Sequence, residues 1–172
     1  MTLVKYGLTD LYKGKKIYSN IKLKVAKKYD KQIVYLTKDM LKNIFELIKT
    51  GKFEMRNSTV LIQEAHNYID SRTSMTPKNR TFSYWILQSR HTGFGSCDIL
   101  FDTQELGQVD KRLRNNTDFI LQPVIISKIG EVPEKIGVIG NGKIGQKWTK
   151  FYEEYYCKNI MSHYDTHELV DF

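Results

Sequence analysis

Apolar residues recur at helical spacing in three segments of the chain. The first, residues 1–13, ends at Gly14, and a glycine at this position is a common helix stop. Residues 40–49 carry apolar side chains with a 3.6-residue period, after Thr37, which begins a helix entry. Residues 81–90 show a similar one-sided pattern. The pattern therefore predicts three helices.

Between these helices lie short runs typical of strands. Residues 58–62, 97–101 and 118–127 each contain a continuous apolar run, which predicts strands buried on both faces of a parallel sheet. Residues 15–23 are β-prone, with apolar Ile17, Ile21 and Leu23, and residues 33–36 form a short β-branched stretch. Because strands and helices alternate along the chain, we predict an α/β fold, with a mostly parallel sheet flanked by helices and joined by right-handed crossovers.

The C-terminal part has a different pattern. Residues 136–139 and 144–151 are β-prone and flank Gly140-Asn141-Gly142. Asn-Gly between two such runs is a strong signal for a β-hairpin turn. We therefore predict a core over residues 1–128 and a β-hairpin appendix of the same domain over residues 129–172.

Composition narrows the class of protein. The chain has 172 residues, 41% of them apolar and 27% charged, as expected of one soluble globular domain. It has no apolar run of bilayer length and no secretory pattern, which predicts a cytoplasmic protein. Cys97 and Cys157 match no metal-site spacing, so we predict no metal site from cysteine or histidine. The net charge of +8 favours binding to phosphates of nucleic acid, nucleotide or anionic membrane.

The segment with the clearest chemistry is Val60 to His66. It reads as a buried strand that ends at Glu64. In α/β sheets ligands bind at the carboxyl ends of the strands, and a carboxylate there can orient and deprotonate an attacking water. The alternative from the residues alone is an acid that caps the following helix.

Three further motifs occur in order: YIDSR at residues 68–72, LQSRHTG at residues 87–93 and QVDKRLR at residues 108–114. With the strand before Glu64, they make residues 14–122 resemble the ATPases of the HerA–FtsK superfamily. The similarity is greatest to viral DNA-packaging ATPases and to the ATPase domain of zonula-occludens-toxin-like proteins. The resemblance implies a P-loop fold, ATP and Mg²⁺ as cofactors, DNA as a partner and a ring oligomer.

The resemblance also implies roles for single residues. Glu64 corresponds to the water-activating carboxylate, and Gln63 occupies the place of the magnesium-binding aspartate, so both would contact the cofactor. Gln104 corresponds to a polar sensor of the γ-phosphate. Arg112 or Arg114 corresponds to an arginine finger that reaches a neighbouring subunit's nucleotide. The alternative for both arginines is solvated basic surface or phosphate contact with DNA.

One part of the family pattern is missing from the chain. These ATPases have a strand and a Gly-x-x-x-x-Gly-Lys-Ser/Thr loop before their first helix, and here residues 1–20 resemble the segment that comes directly after that loop. Either the chain is truncated at its start, or it is a natural variant without nucleotide binding. We predict a sheet that lacks its first strand. The strands would then rearrange, another chain would supply the missing one, or the last two parallel strands would pair directly; self-association is expected.

An internal sequence matches the spacing of that loop. Residues 137–143 place two glycines and Lys143 as a phosphate loop does, but Ile144 stands where a hydroxyl must bind magnesium. The segment is either a hairpin turn or the loop of a permuted site.

Three functions are compatible with the sequence. The first is the ATPase-like core of a DNA-translocating or viral genome-packaging motor. The second is a catalytically inactive nucleic-acid-binding or structural protein derived from such an ATPase. The third is an unrelated α/β domain, in which Glu64 and Gln104 would not lie side by side at the ends of adjacent strands.

Overall fold

The computed structural model describes residues 1–50, 56–68, 72, 76–89, 97–144 and 147–169. Within these ranges the chain forms six helices and nine strands. The helices are α1 (Thr2–Tyr12), α2 (Lys38–Lys42), α3 (Ile44–Lys49), α4 (Pro77–Gln88), α5 (Lys111–Asn115) and α6 (Lys158–Met161). The strands are β1 (Lys16–Ser19), β2 (Ile21–Leu23), β3 (Ile33–Tyr35), β4 (Ser58–Ile62), β5 (Cys97–Phe101), β6 (Phe119–Ile129), β7 (Val132–Ile144), β8 (Lys147–Tyr156) and β9 (Tyr164–Leu169).

Four strands form a parallel sheet in the order β3-β1-β4-β5. All five residues of β4 are buried, as the apolar run predicts for a strand covered on both faces. In register, Val60 of β4 lies between Tyr18 of β1 and Ile99 of β5. The predicted α/β class, with a mostly parallel sheet flanked by helices, is confirmed.

Apolar packing is divided between the two faces of this sheet. On one face Trp85 of α4 packs with Tyr18, Val60 and Ile62. On the other face α1 packs against Leu61, and Gly7 of α1 lies so close that a Cβ there would overlap a Leu61 methyl group. The sheet is therefore covered by helices on both sides, and in such folds ligands bind at the carboxyl ends of the strands.

The predicted helices are present with changed limits. Helix α1 ends before Gly14, whose φ of 86° is the left-handed conformation that favours glycine. The predicted helix over residues 40–49 is two short helices, α2 and α3, because the chain turns at Asn43. Thr37 is the N-cap of α2, and its side chain accepts a hydrogen bond from the Met40 N–H (3.2 Å). Helix α4 starts at Pro77, earlier than predicted, and residue 90 lies outside the described residues.

Strand β6 corrects one prediction. The apolar run of residues 118–127 predicts a strand of the buried parallel sheet, but β6 pairs antiparallel with β7 and is exposed along much of its length. A continuous apolar run shows that a strand is present but not which strand pairs with it or what covers it. Strands β6, β7 and β8 form a three-stranded antiparallel sheet. The predicted boundary after residue 128 falls inside this sheet, one residue before β6 ends.

The C-terminal hairpin exists, but its predicted turn is wrong. Gly140-Asn141-Gly142 lies within β7. The predicted hairpin is formed by β7 and β8, which pair up to Ile144 and Lys147, so its connection comes after Ile144 and lies outside the described residues. A separate turn joins β6 to β7 at Gly130 and Glu131, where Gly130 has a φ of 62°. Side chains at Gly140 and Gly142 would overlap the rings of Phe151 and Phe119 respectively. These two glycines therefore make room for aromatic rings rather than for a turn.

The antiparallel sheet rests on α1 through Ile136, Val138 and Tyr155, so α1 lies between the two sheets. Strand β9 pairs antiparallel with β2. Among the described residues no helix combines the length and the apolar character needed to cross a bilayer.

Candidate functional site

The carboxyl ends of β4 and β5 meet at one edge of the parallel sheet. Asp102 follows β5 directly, and Glu64 follows β4 after one residue. The backbone N–H of Glu64 donates a hydrogen bond to Oδ1 of Asp102 (2.6 Å). The backbone of Asp102 also bonds to both sides of Glu64, since its N–H donates to the Ile62 carbonyl (3.1 Å) and its carbonyl accepts from the Ala65 N–H (2.9 Å). Two acidic residues are thus held together where ligands bind in α/β sheets.

Asn20 holds the end of β4 from the opposite side. Its side-chain oxygen accepts from the Gln63 N–H (2.7 Å), and its side-chain nitrogen donates to the Gln63 carbonyl (3.1 Å). Asn20 is fully buried, so these bonds are made away from water and are costly to lose. The backbone of Gln63 and Glu64 is therefore clamped between the residues that follow β1 and β5.

Glu64 itself has an unusual backbone. Its φ of 53° and ψ of 51° are left-handed, a conformation that non-glycine residues seldom adopt and that often accompanies functional sites. Its carboxylate accepts a hydrogen bond from the Asn67 side chain (3.0 Å) and makes no side-chain cap bond to the following 3₁₀ turn. The helix-cap role considered for this residue is therefore not what the structure shows.

Both acids are half-buried. Burial raises the pKa of Asp102 above its ordinary value, and the hydrogen bond from the Glu64 N–H opposes part of that rise. The edge therefore carries two partly accessible acids, and the structure shifts the pKa of Asp102 upward.

The other predicted site residues lie around this edge at different distances from it. Gln104 comes three residues after β5 and is exposed. Arg112 binds its own helix N-cap, with Nε 3.0 Å from Oδ1 and Nη2 2.7 Å from Oδ2 of Asp110. This arginine keeps the pKa of Asp110 below its ordinary value. Arg114 is half-buried and donates from Nε to the Val109 carbonyl (3.0 Å).

A cavity of about 710 Å³ lies beside β5, between α1 and β6. Asp102, Gln104 and Arg114 line it together with the first residues of α1. The structure therefore brings Gln104 and Arg114 to a common cavity with Asp102, and leaves Arg112 tied to Asp110. Glu64 and Gln104 follow adjacent parallel strands, β4 and β5, at the same edge of the sheet.

The cavity runs along the outer edge of β5. Both backbone groups of Asp102 point toward β4, so those of Ile99 and Phe101 point to the opposite edge. No strand in the described ranges pairs with that edge. Among the described residues, the sheet thus ends at an unpaired edge on β5. The last two strands do not pair directly, because β6 joins the antiparallel sheet instead.

The internal loop match at residues 137–143 has no phosphate-binding geometry. These residues lie in β7, paired with β6 on one side and β8 on the other. Their backbone N–H groups point sideways toward the neighbouring strands. A phosphate requires several N–H groups that converge on one point, and an extended strand does not provide this. Neither of the two roles considered for this segment, hairpin turn or permuted loop, is observed.

Sequence reasoning missed Asn20 and the role of Asp102. Asp102 carried a signal, since it ends a buried strand as Glu64 does. Asn20 carried none, because only the packing of β1 beside β4 brings it to Gln63.

Comparisons with known proteins agree with this arrangement. Residues 3–123 match the family described as zonular occludens toxin. The structure is similar to the crystal structure of the N-terminal domain of zonular occludens toxin from Neisseria meningitidis, with a TM-score of 0.58 and 17% sequence identity over 88% of this chain and 80% of that one. No curated protein sequence matches the chain. The chain therefore belongs to the zonular occludens toxin family, and its parallel sheet with flanking helices is a P-loop ATPase-like core of the HerA–FtsK type.

Proposed function

We propose that this chain is the ATPase-like core of a motor that translocates DNA or packages a viral genome. The observation that carries the proposal is the acid pair at the carboxyl ends of β4 and β5, where the Glu64 N–H binds Asp102 Oδ1 at 2.6 Å. Asp102 of this pair lines a cavity together with the start of α1, so a nucleotide there would meet this acid and helix N–H groups together.

Glu64 orients and deprotonates the attacking water in this proposal. Its backbone is held by Asp102, and its side chain is half-buried rather than enclosed. The general base of a hydrolase must be positioned within hydrogen-bond reach of its water, and a clamped backbone supplies such positioning.

The residues present fit magnesium. The described residues hold no group of three or more His, Cys, Asp or Glu side chains that could bind a metal. Magnesium in nucleotide sites needs fewer, since one or two carboxylates and the substrate phosphates complete its shell. We assign the carboxylate of Asp102 to support the ion where Gln63 provides only a neutral amide. Burial raises the pKa of Asp102, and a cation bound beside it would favour the ionised form. Bound magnesium would neutralise charge on the phosphates.

The phosphates themselves need donors. Arg114 lines the cavity with Gln104, whereas Arg112 is held by Asp110. We therefore favour Arg114 as the arginine that reaches a phosphate, within its own subunit or across a ring, and Gln104 as the sensor. Residues 137–143 lie in strand β7 and therefore do not form a phosphate-binding loop. The open edge of β5 is the place where such a loop and its strand would add to the sheet.

The second candidate is an inactive nucleic-acid-binding or structural protein derived from such an ATPase. It is favoured by Gln63, whose neutral side chain stands where the family has a charged ligand, while its backbone is bound by Asn20. In this case the clamped edge keeps a structural role, and the net charge of +8 serves DNA binding.

Calorimetry with ATP and Mg²⁺ separates the two candidates. For the first we expect magnesium-dependent ATP binding, and Glu64→Gln should retain that binding and lose hydrolysis because only the base is removed. Glu131→Gln, an exposed site at the β6–β7 turn, is the matched control and should change neither. Absence of binding by protein whose circular dichroism shows an intact fold would reject the first candidate and favour the second.

A further inference from the structure

Strand β8 presents alternate residues to opposite sides. One set packs toward α1, where Glu153 accepts hydrogen bonds from Lys5 (2.7 Å) and Tyr6, and the Tyr155 hydroxyl lies 2.8 Å from that of Thr2. The other set therefore faces away from α1. Its aromatic members, Trp148, Tyr152 and Tyr156, are 53%, 55% and 60% exposed.

Lysines accompany the aromatic rings on this side of the sheet. Lys150 stands between Trp148 and Tyr152 on the same side of β8, and Lys143 of β7 lies directly across from Trp148. Both lysines are exposed. We call Lys143, Trp148, Lys150 and Tyr152 the β8 face.

The charge of the β8 face is one-sided. The chain has no Asp or Glu from residue 135 to residue 152, but four lysines. The first acid beyond, on the same side of β8, is Glu154. It forms an ion pair with Lys135 and accepts a hydrogen bond from the Tyr152 hydroxyl (2.8 Å). The acid at the far end is thus neutralised, and the end near Trp148 is positive.

We propose that the β8 face binds single-stranded nucleic acid. Exposed aromatic rings stack on bases whose faces are free, and such faces are available in single strands but not within a duplex. Lysines between the rings contact the phosphates that connect those bases. Lys143 and Lys150 beside Trp148 favour an anionic partner. An apolar protein surface would offer these two lysines no negative charge.

The β8 face is separate from the edge that carries Glu64 and Asp102. Residues of the face do not line the cavity beside β5. The inference therefore rests on the nucleic-acid partner that both proposed functions share, and it names the face and the kind of nucleic acid. Binding there needs no nucleotide, so it is measured separately from ATP binding.

Tryptophan fluorescence gives a direct test. The chain has two tryptophans, and Trp85 is fully buried in the core, so quenching by an added oligothymidylate reports on Trp148. We expect saturable quenching that weakens as salt is raised. Binding of a labelled oligothymidylate, seen by anisotropy without any change in tryptophan emission, would place the nucleic acid elsewhere and overturn the inference.

Variants sharpen the test by anisotropy. Trp148→Ala should weaken binding about tenfold or more, and Trp148→Phe should recover most of it because a ring remains. Lys150→Glu should weaken binding and lower the salt slope. Tyr84→Ala on α4 and Lys31→Glu, both at exposed sites elsewhere, should leave affinity unchanged.

Three outcomes would overturn the proposal. Trp148→Ala and Lys150→Glu proteins that are folded by circular dichroism and bind like the parent would exclude the β8 face. Equal affinity for a duplex of the same length would exclude recognition of single strands. Variants that abolish self-association in light scattering, with unchanged oligonucleotide affinity, would identify the face as an interface between copies. If the parent protein binds ATP but not the oligonucleotide, this inference fails and the proposed ATPase stands. If it binds the oligonucleotide but not ATP, the ATPase fails and this inference stands.

Discussion

The two large sheets of this protein use similar side chains in different surroundings. Strand β4 (STVLI) is buried at every position, whereas β6 (FILQPVIISKI) is exposed at most of its positions. The parallel sheet has helices on both faces, and α1 covers only one face of the antiparallel sheet. Apolar content therefore identifies a strand in the sequence. Whether its side chains are buried and stabilise the fold depends on the helices or strands that pack over them.

Helix α1 connects the two environments. One side of it packs on Leu61 of the parallel sheet and the other on Ile136 and Val138 of the antiparallel sheet. A change in the first contact should therefore affect the whole fold, and a change on the exposed part of the second sheet should affect little.

The largest expected effect is that of Leu61→Ala. Leu61 is fully buried against α1, so its truncation leaves a cavity and should lower the free energy of unfolding by about 2–5 kcal/mol. Ile125→Ala, at a side chain that is 52% exposed on β6, should stay within about 0.5 kcal/mol. Urea denaturation of both variants measures the contrast. Similar losses in the two would show that β6 is buried in solution.

A smaller effect is expected at the carboxyl edge of the parallel sheet. Asp102→Ala removes the acceptor of the Glu64 N–H and should cost about 1–3 kcal/mol. Asp102→Asn keeps an acceptor oxygen and should cost less. Because burial raises the folded-state pKa of Asp102, the parent protein loses stability as pH rises from the unfolded pKa through the folded pKa.

The Asn variant lacks that titration. Its stability relative to the parent should therefore increase with pH over the same window, as urea denaturation at a series of pH values measures. Equal losses for the Ala and Asn variants would show that the hydrogen bond to Glu64 contributes nothing.

The smallest effect concerns the contact of α1 with β8. Burial alone would raise the pKa of Glu153, but hydrogen bonds from Lys5 and Tyr6 outweigh it and lower that pKa below its ordinary value. The contact therefore stabilises the fold above the unfolded-state pKa and is lost as pH falls through the folded-state pKa. Glu153→Gln should cost about 1 kcal/mol or less at neutral pH and nothing in acid. A loss that persists in acid would contradict the assigned titration.

The candidate site shows how far sequence reasoning reaches. Val60, Leu61 and Ile62 form an apolar run between polar segments, and such a run has few alternatives to a buried strand, so Glu64 can be placed at the strand end in advance. The partners of its backbone cannot be foreseen. Asp102 reaches Glu64 across 38 residues of sequence, and Asn20 reaches Gln63 across 43.

The antiparallel sheet shows the opposite case. Its strands are visible as apolar runs, but the sequence predicts a turn at Gly140 and Gly142 because Asn-Gly is common in turns. Only the rings of Phe119 and Phe151, brought over them by strand pairing, explain why glycine stands at those positions. Glycine is common in turns because of its backbone freedom, but at these two positions it is present because a side chain would overlap an aromatic ring.

By itself, the sequence determined the alternation of strands and helices, the buried strand before Glu64 and the positive charge, since these depend on local periodicity and composition. The tertiary structure decided the rest: the partner of β6, the place of the turns, the pairing of Glu64 with Asp102, and the side on which Trp148 stands beside Lys143. The reason is physical. Hydrogen bonds between strands and contacts between side chains join residues that are far apart in the chain. Which residues pair depends on the packing of the whole fold and not on any single segment.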